Sequence, residues 1–243
     1  MPWDMEEIME ARDMSLVEKA YNGIAEMIFS FQLPPGSKVS DFSLSRKLGI
    51  SRTPIRSAIL LLMNHGLVIK THDGYEVPKI TPESIDDIYD ARICIETAIV
   101  DFSIRNNLHC KKIKELRRII SLQKAAADSG DIFQSTDYSL EFHKALVSMC
   151  ENERLEDLFS HLYLPMKILN VLALARPNLG TGDEYTAICD AVEKGDSQNA
   201  CRLLTESIQK GRAQKKEVLE KFGASGMDRL FGFISVNFEA SRK

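Results

Sequence analysis

Leu44-Ser45-Arg46-Lys47-Leu48-Gly49-Ile50-Ser51-Arg52-Thr53-Pro54-Ile55-Arg56 is the stretch whose reading decides the fold. Leu44 and Leu48, four apart, give one apolar face to a short helix that Asp41 can cap. Gly49 supplies the left-handed residue that ends such a helix. Ser51 to Pro54 opens the next, with proline in the first turn, where its missing N–H costs nothing. Ile55, Ile59 and Leu62 form its buried side, and Gly66 closes it. Upstream, Ser15-x-x-Glu18 has the form of a capping box. Leu16, Ala20, Ile24, Met27, Ile28 and Phe31 then make an apolar stripe that Pro34-Pro35-Gly36 stops. Downstream, Leu67–Lys70 and Tyr75–Val77 read as two short strands around an Asp-Gly turn. Residues 15–77 are therefore three helices and a hairpin.

Beyond them, Pro78 and Pro82 bracket a linker (78–82), and Thr81-Pro82-Glu83 is a cap followed by a first-turn proline and acid. Helical periodicity then covers 82–107, 111–128, 131–150, 153–176, 183–194 and 197–222, so 83–222 reads as an all-helical bundle. Pro165 should kink or break its helix. The segments left over are an N-terminal extension (1–14) and an apolar C-terminal tail (223–243), which has either the bundle or a second subunit to dock on. The fold class expected is mainly α, a small helical domain with a hairpin followed by an all-α bundle.

In 243 residues, 44% hydrophobic and 27% charged content argues for an ordinary globular chain of two domains rather than disorder. No run of about 18 apolar residues exists, which excludes a membrane-spanning helix. Met1 to Asp13 carries acids where a signal peptide needs bases, so the cytoplasm is the expected compartment. Five cysteines without a C-x-x-C pair suggest small buried hydrophobes rather than disulfides or zinc ligands. The net charge of −4 hides a split, +2 over residues 15–77 and −6 elsewhere, a weak hint that the first part meets a polyanion.

The order helix, helix, tight turn, helix, hairpin is that of a winged helix-turn-helix, which places its third helix in the DNA major groove. Arg52 and Arg56 are four apart and share a face. Arginine suits bidentate contact with guanine O6 and N7 or with phosphate. Ser51 and Thr53 stand at the helix start, where N–H groups and the dipole favour an anion. The plainer alternative is a solvated face with an ordinary N-cap.

Leu33 to Ser40, Leu44 to Arg56 and His65-Gly66-Leu67-Val68 resemble the DNA-binding domain of GntR-family transcription regulators, and the helical remainder to about residue 215 resembles the FCD effector domain of the FadR subfamily. The resemblance implies that Arg52 and Arg56 contact DNA with Arg46, Ser51 and Thr53 in support, and that His72 and Gly74 at the wing tip enter the minor groove. His72 also reads as a plain turn residue. A further arginine common early in the second helix of FadR falls here on Phe42, so the operator need not be shared.

The resemblance also implies a divalent metal held by one Asp and three His, but the matching positions are Ser139, His143, Tyr185 and Ser207. One ligand of four survives, too few for tight binding, so no metal and no cofactor is expected. Asp137 lies on another helical face, and Cys189 and Cys201 are replacement ligands only in principle. Ser139, His143, Tyr185 and Ser207 instead suggest a metal-free polar pocket, the alternative being a degraded one without ligand. Arg92 either binds an effector carboxylate there or forms an i,i+4 ion pair with Glu96.

These readings converge on a cytoplasmic, homodimeric regulator, a repressor more readily than an activator, that binds double-stranded DNA at a pseudopalindromic operator. A small-molecule effector, a carboxylate being one candidate, would bias the pose of the two winged domains. The rivals are an effector-free DNA binder and a metal-dependent enzyme. An enzyme is disfavoured because no Ser/His/Asp or metal constellation has usable spacing.

Overall fold

The computed structural model describes residues 15–175 and 182–240. The N-terminal extension, residues 176–181 and the last three residues lie outside the described residues. Two compact units result. Among the described residues, one runs from Ser15 to Pro78 and takes in Ile234–Ala240; the other is Lys79–Phe233.

In the first unit α1 (Leu16–Phe29), α2 (Asp41–Leu48) and α3 (Arg52–Asn64) precede β1 (Ile69–Thr71) and β2 (Gly74–Glu76). Both halves of the Ser15 capping box form: Glu18 N donates to Ser15 Oγ at 3.2 Å and Ser15 N to Glu18 Oε2 at 2.7 Å. The α1 stripe packs on α3, burying Ile24 and Ile28 against the side that carries Ile55, Ile59 and Leu62. Each such side chain contributes about 1.5–3 kcal/mol of burial. Leu16 is the exception in the stripe and stays exposed. The helix ends before the prolines, because Phe31 takes a left-handed φ of 57°. The N-cap of α2 is Ser40, not Asp41: Ser40 Oγ accepts from Ser43 N at 3.3 Å, and Asp41 is the first helical residue. Gly49 ends α2 with φ 66° and ψ 22°. The hairpin pairs Thr71 with Gly74, so its turn is His72-Asp73 rather than Asp-Gly, and Gly74 is already strand. Residues 36–39 pair with the far side of β2, Val39 N donating to Tyr75 O at 2.8 Å.

The second unit is a bundle of α4 (Pro82–Arg105), α5 (Ile113–Asp128), α6 (Ile132–Val147), α7 (Glu153–Leu169), α8 (Asp183–Glu193) and the part of α9 (Ser197–Ala240) up to Phe233. Thr81 and Ser84 make the reciprocal cap that starts α4. Ile99, Leu140, Val147, Cys150, Phe159 and Met166 form a core between α4, α6 and α7. Pro165 does not break α7. It stands one turn before the helix tightens to 3₁₀ at Asn170, and the buried Phe159, Met166, Ile168 and Leu169 hold both sides of it. The described part of the tail is helix as well, continuing α9 beyond a bend at Gly223 and burying Met227 and Phe231. Cys150 and Cys189 are buried, but Cys94 and Cys110 are exposed, contrary to a reading of all five as core.

Candidate functional site

The start of α3 gathers the DNA-facing candidates. Ser51, Arg52, Thr53 and Arg56 are all exposed there, and Ser51 caps α3 by its backbone alone, with no side-chain bond. The guanidiniums of Arg52 and Arg56 converge on one carboxylate, Asp41, at 2.9 Å and 2.6 Å. The Arg56 hydrogen bond, then that of Arg52, holds Asp41 below the usual carboxylate range, so it is ionised at neutral pH. Arg46 lies exposed on α2 with its guanidinium 5.9 Å from the Phe42 ring centre. His72 at the wing tip is fully exposed, with Nδ1 3.1 Å from Asp73 Oδ1. Gly74 beside it has φ 129° and open space where a Cβ would stand.

Arg92, Ser139, His143, Tyr185 and Ser207 all line a single cavity of about 110 Å³ in the bundle. Its floor is ionic. Arg92 Nε donates to Glu96 Oε1 at 2.8 Å, and the other carboxylate oxygen takes His143 Nδ1 at 2.6 Å. Arg92 and His143 are 5% and 4% exposed and Glu96 is fully buried, so this is no surface i,i+4 pair worth a few tenths of a kcal/mol. Burial pushes the Glu96 carboxyl up, but Arg92 and His143 outweigh it and hold it at about 2. Burial likewise drives the His143 imidazole below its ordinary range, against the pull of Glu96. An ionised Glu96 can only accept, so a neutral His143 donates Nδ1–H and keeps an acceptor lone pair on Nε2.

The rim is polar and partly unpaired. Ser139 Oγ and Tyr185 Oη are 2.5 Å apart, and the Tyr185 ring stacks on Phe142 at 4.3 Å. Gln123 and Ser135 also line the cavity. Both are buried, and Gln123 Oε1 and Ser135 Oγ have no hydrogen-bond partner among the described residues. A buried polar atom without a partner is costly, and one that faces a cavity is a place for a ligand or water to bind. Sequence reasoning saw Glu96 only as an ion-pair partner of Arg92, not as the carboxylate that also binds His143 beneath the cavity, and missed Gln123 and Ser135. The signal was present for Gln123, which interrupts the apolar stripe Leu116, Ile119, Ile120, Ala126 of α5.

Residues 16–74 match the family "Bacterial regulatory proteins, gntR family", and residues 87–210 match the "FCD domain". The chain belongs to the GntR family. An HTH-type transcriptional regulator of Bacillus subtilis (strain 168), YdhC, itself uncharacterized, is 28% identical over 83% of this chain and 91% of its own length. The gluconate operon transcriptional repressor of the same organism is 20% identical over 67% of each chain. Among solved structures, E. coli McbR/YncC superposes with a TM-score of 0.68 at 20% identity, covering 86% of this chain and all of that one, a likeness of fold. This GntR protein thus joins a DNA-binding winged domain to an FCD effector domain.

The donors around His143 do not fit the divalent ion implied by resemblance to FCD members. Ser139 and Tyr185 are neutral hydroxyls bonded to each other, and the Glu96 carboxylate is engaged by Arg92 and His143. Asp137 is exposed, and neither Cys189 nor Cys201 lines the cavity. Among the described residues no group of three His, Cys, Asp or Glu side chains could hold a metal ion.

Proposed function

We propose that this GntR protein is a cytoplasmic, homodimeric repressor of the FadR subfamily, without enzymatic activity, that reads a pseudopalindromic duplex through Arg52 and Arg56 and answers to a small carboxylate. Arg46, Ser51 and Thr53 serve the phosphates, with His72 and Gly74 at the wing in the minor groove. The observation that carries the effector reading is the buried Arg92, whose hydrogen bond to Glu96 runs through Nε, so that its terminal N–H groups remain for an anion at the cavity wall. His143 Nε2 and Gln123 Oε1 accept hydroxyl protons, which favours a hydroxylated acid over a plain one. A cavity of about 150 Å³ takes benzene, so one of about 110 Å³ holds a core of about four non-hydrogen atoms. The ligand alters DNA affinity by binding the free and DNA-bound states unequally. The names of relatives such as the gluconate operon repressor support a repressor.

Two measurements test this reading. Selection of duplexes from a random pool by the full chain, at stated salt, should return a short pseudopalindrome that Arg52→Ala/Arg56→Ala does not enrich. A thermal-shift panel of C2–C6 carboxylic and hydroxycarboxylic acids, without metal, should find a binder that stabilises by about 2.7 kcal/mol at a hundredfold excess over Kd. That acid should change operator affinity, and its shift should vanish in Arg92→Leu. Operator binding indifferent to every acid would leave an effector-free DNA binder instead.

A further inference from the structure

The turn at Gly49 brings Asp41, the first residue of α2, against two arginines 11 and 15 positions later. Asp41 Oδ2 accepts from Arg56 Nε at 2.6 Å and from Arg52 Nη2 and Nε at 2.9 and 3.3 Å, while Oδ1 accepts from Arg52 Nη2 at 3.1 Å. The carboxylate is not spent on its own helix, since Ser40 already caps α2 by accepting from Ser43 N. It is also the most sheltered of the three, 20% exposed against 52% for Arg52 and 62% for Arg56.

A guanidinium has five N–H donors in a rigid fork. Asp41 holds Arg56 through Nε alone and Arg52 through its Nε/Nη2 edge, which leaves both terminal nitrogens of Arg56 and Nη1 of Arg52 without a bond to Asp41, and terminal nitrogens are the ones that pair with guanine O6 and N7. We propose that Asp41 is the positioning residue that sets base specificity, holding Arg56 by Nε and Arg52 by its Nε/Nη2 edge so that both guanidiniums meet the duplex already oriented. Two physical effects act together. Long side chains fixed beforehand lose less rotamer freedom on binding, an effect of about tenfold in affinity for an arginine. A carboxylate between two guanidiniums also lowers the positive charge offered to any phosphate, which weakens sequence-independent binding. Asp41 therefore raises the ratio of specific to non-specific affinity from both sides.

The test uses the full chain, the duplex recovered by selection and a scrambled duplex, titrated across salt. Asp41→Asn should bind the selected duplex about tenfold more weakly and the scrambled one no more weakly. Its slope of log affinity against log salt on scrambled DNA should steepen by about 0.9, one phosphate contact. Asp41→Glu, which keeps the charge, should recover part of the lost discrimination. In the Arg52→Ala/Arg56→Ala background the Asn change should alter the ratio less than twofold, which a general loss of α2 structure would not explain. An unchanged or higher ratio in Asp41→Asn overturns the proposal, as does an equal loss in the arginine-free background. A wild type that prefers no sequence removes the operator reading and this role together; a preference that Asp41→Asn shares in full removes only the role of Asp41.

Discussion

Changing Glu96 to Gln tests the ionic floor of the cavity most directly. Glu96 satisfies two donors at once, Arg92 Nε–H at 2.8 Å and His143 Nδ1–H at 2.6 Å, in a place without solvent. Glutamine has one acceptor oxygen and an NH2 group; a neutral His143 can change tautomer and accept from that NH2, but Arg92 is left facing an uncharged amide. The Arg92 charge is then buried without its counter-ion. Breaking a buried pair from one side costs about 3–5 kcal/mol. At about 2–4 °C per kcal/mol for a unit of this size, the bundle should melt roughly 6–20 °C lower. Replacing both partners, Arg92→Leu/Glu96→Leu, removes the stranded charge and leaves only the His143 N–H unpaired, about 1–3 kcal/mol. The double variant should therefore melt above Glu96→Gln. Circular dichroism melts of the three proteins settle the order. A drop of less than about 2 °C in Glu96→Gln, or a double variant no better than the single one, would refute the picture of a desolvated ion pair.

Acid should weaken the fold in two stages. His143 sits below its ordinary 6.5 in the folded state, so the unfolded chain takes up that proton first and stability declines as pH falls below about 6.5. Glu96, at about 2 when folded against 4.5 when exposed, supports the fold above about pH 4.5, and that support is lost as pH falls toward 2. Urea titrations of wild type and Glu96→Gln between pH 7 and 3 should differ most at the neutral end and converge in acid; parallel curves would count against it. Arg56→Ala should lose about 1–3 kcal/mol of operator affinity and relax the preference at one base, read by binding to single-base variants of the selected duplex. Gly49→Ala should cost about 1–2 kcal/mol, since its φ of 66° is unfavourable to a side chain but nothing crowds the site. Gly182→Ala should cost more and also disturb the cavity, because its φ is 70° and its new Cβ would overlap Gln123 Oε1. Equal melting temperatures for the two alanine variants would contradict that overlap.

The winged domain was legible because its punctuation is local. Ser15, Gly49 and Pro54 act on neighbours within a turn, and their chemistry reads the same in sequence and structure. Asp41 shows where that stops: beside a helix start it reads as a cap, but its partners are set by how α2 and α3 cross, which a periodicity does not encode. Phe31 ends α1 early for a similar reason, its buried ring making a left-handed backbone tolerable. In the bundle, Arg92 and Glu96 were visible as an i,i+4 pair, whereas their burial and the link to His143, 47 residues on from Glu96, depend on how α4 and α6 pack. Pro165 failed as a helix breaker because packing on both sides outweighs one missing hydrogen bond.

The wall of the cavity draws on every helix of the bundle: Tyr89 of α4, Gln123 of α5, Ser139 of α6, Met166 of α7, Tyr185 of α8 and Ser207 of α9. Helices in a free bundle detach one at a time, each with its own opening free energy, and amide hydrogen exchange records the spread. A molecule seated among all six is released when any one of them leaves. Its binding free energy is therefore added to every partial opening that breaches the wall, and the spread of exchange rates narrows toward that of global unfolding. With a molecule bound, the bundle should exchange and resist proteolysis as one cooperative body, while the same helices without it should fray separately.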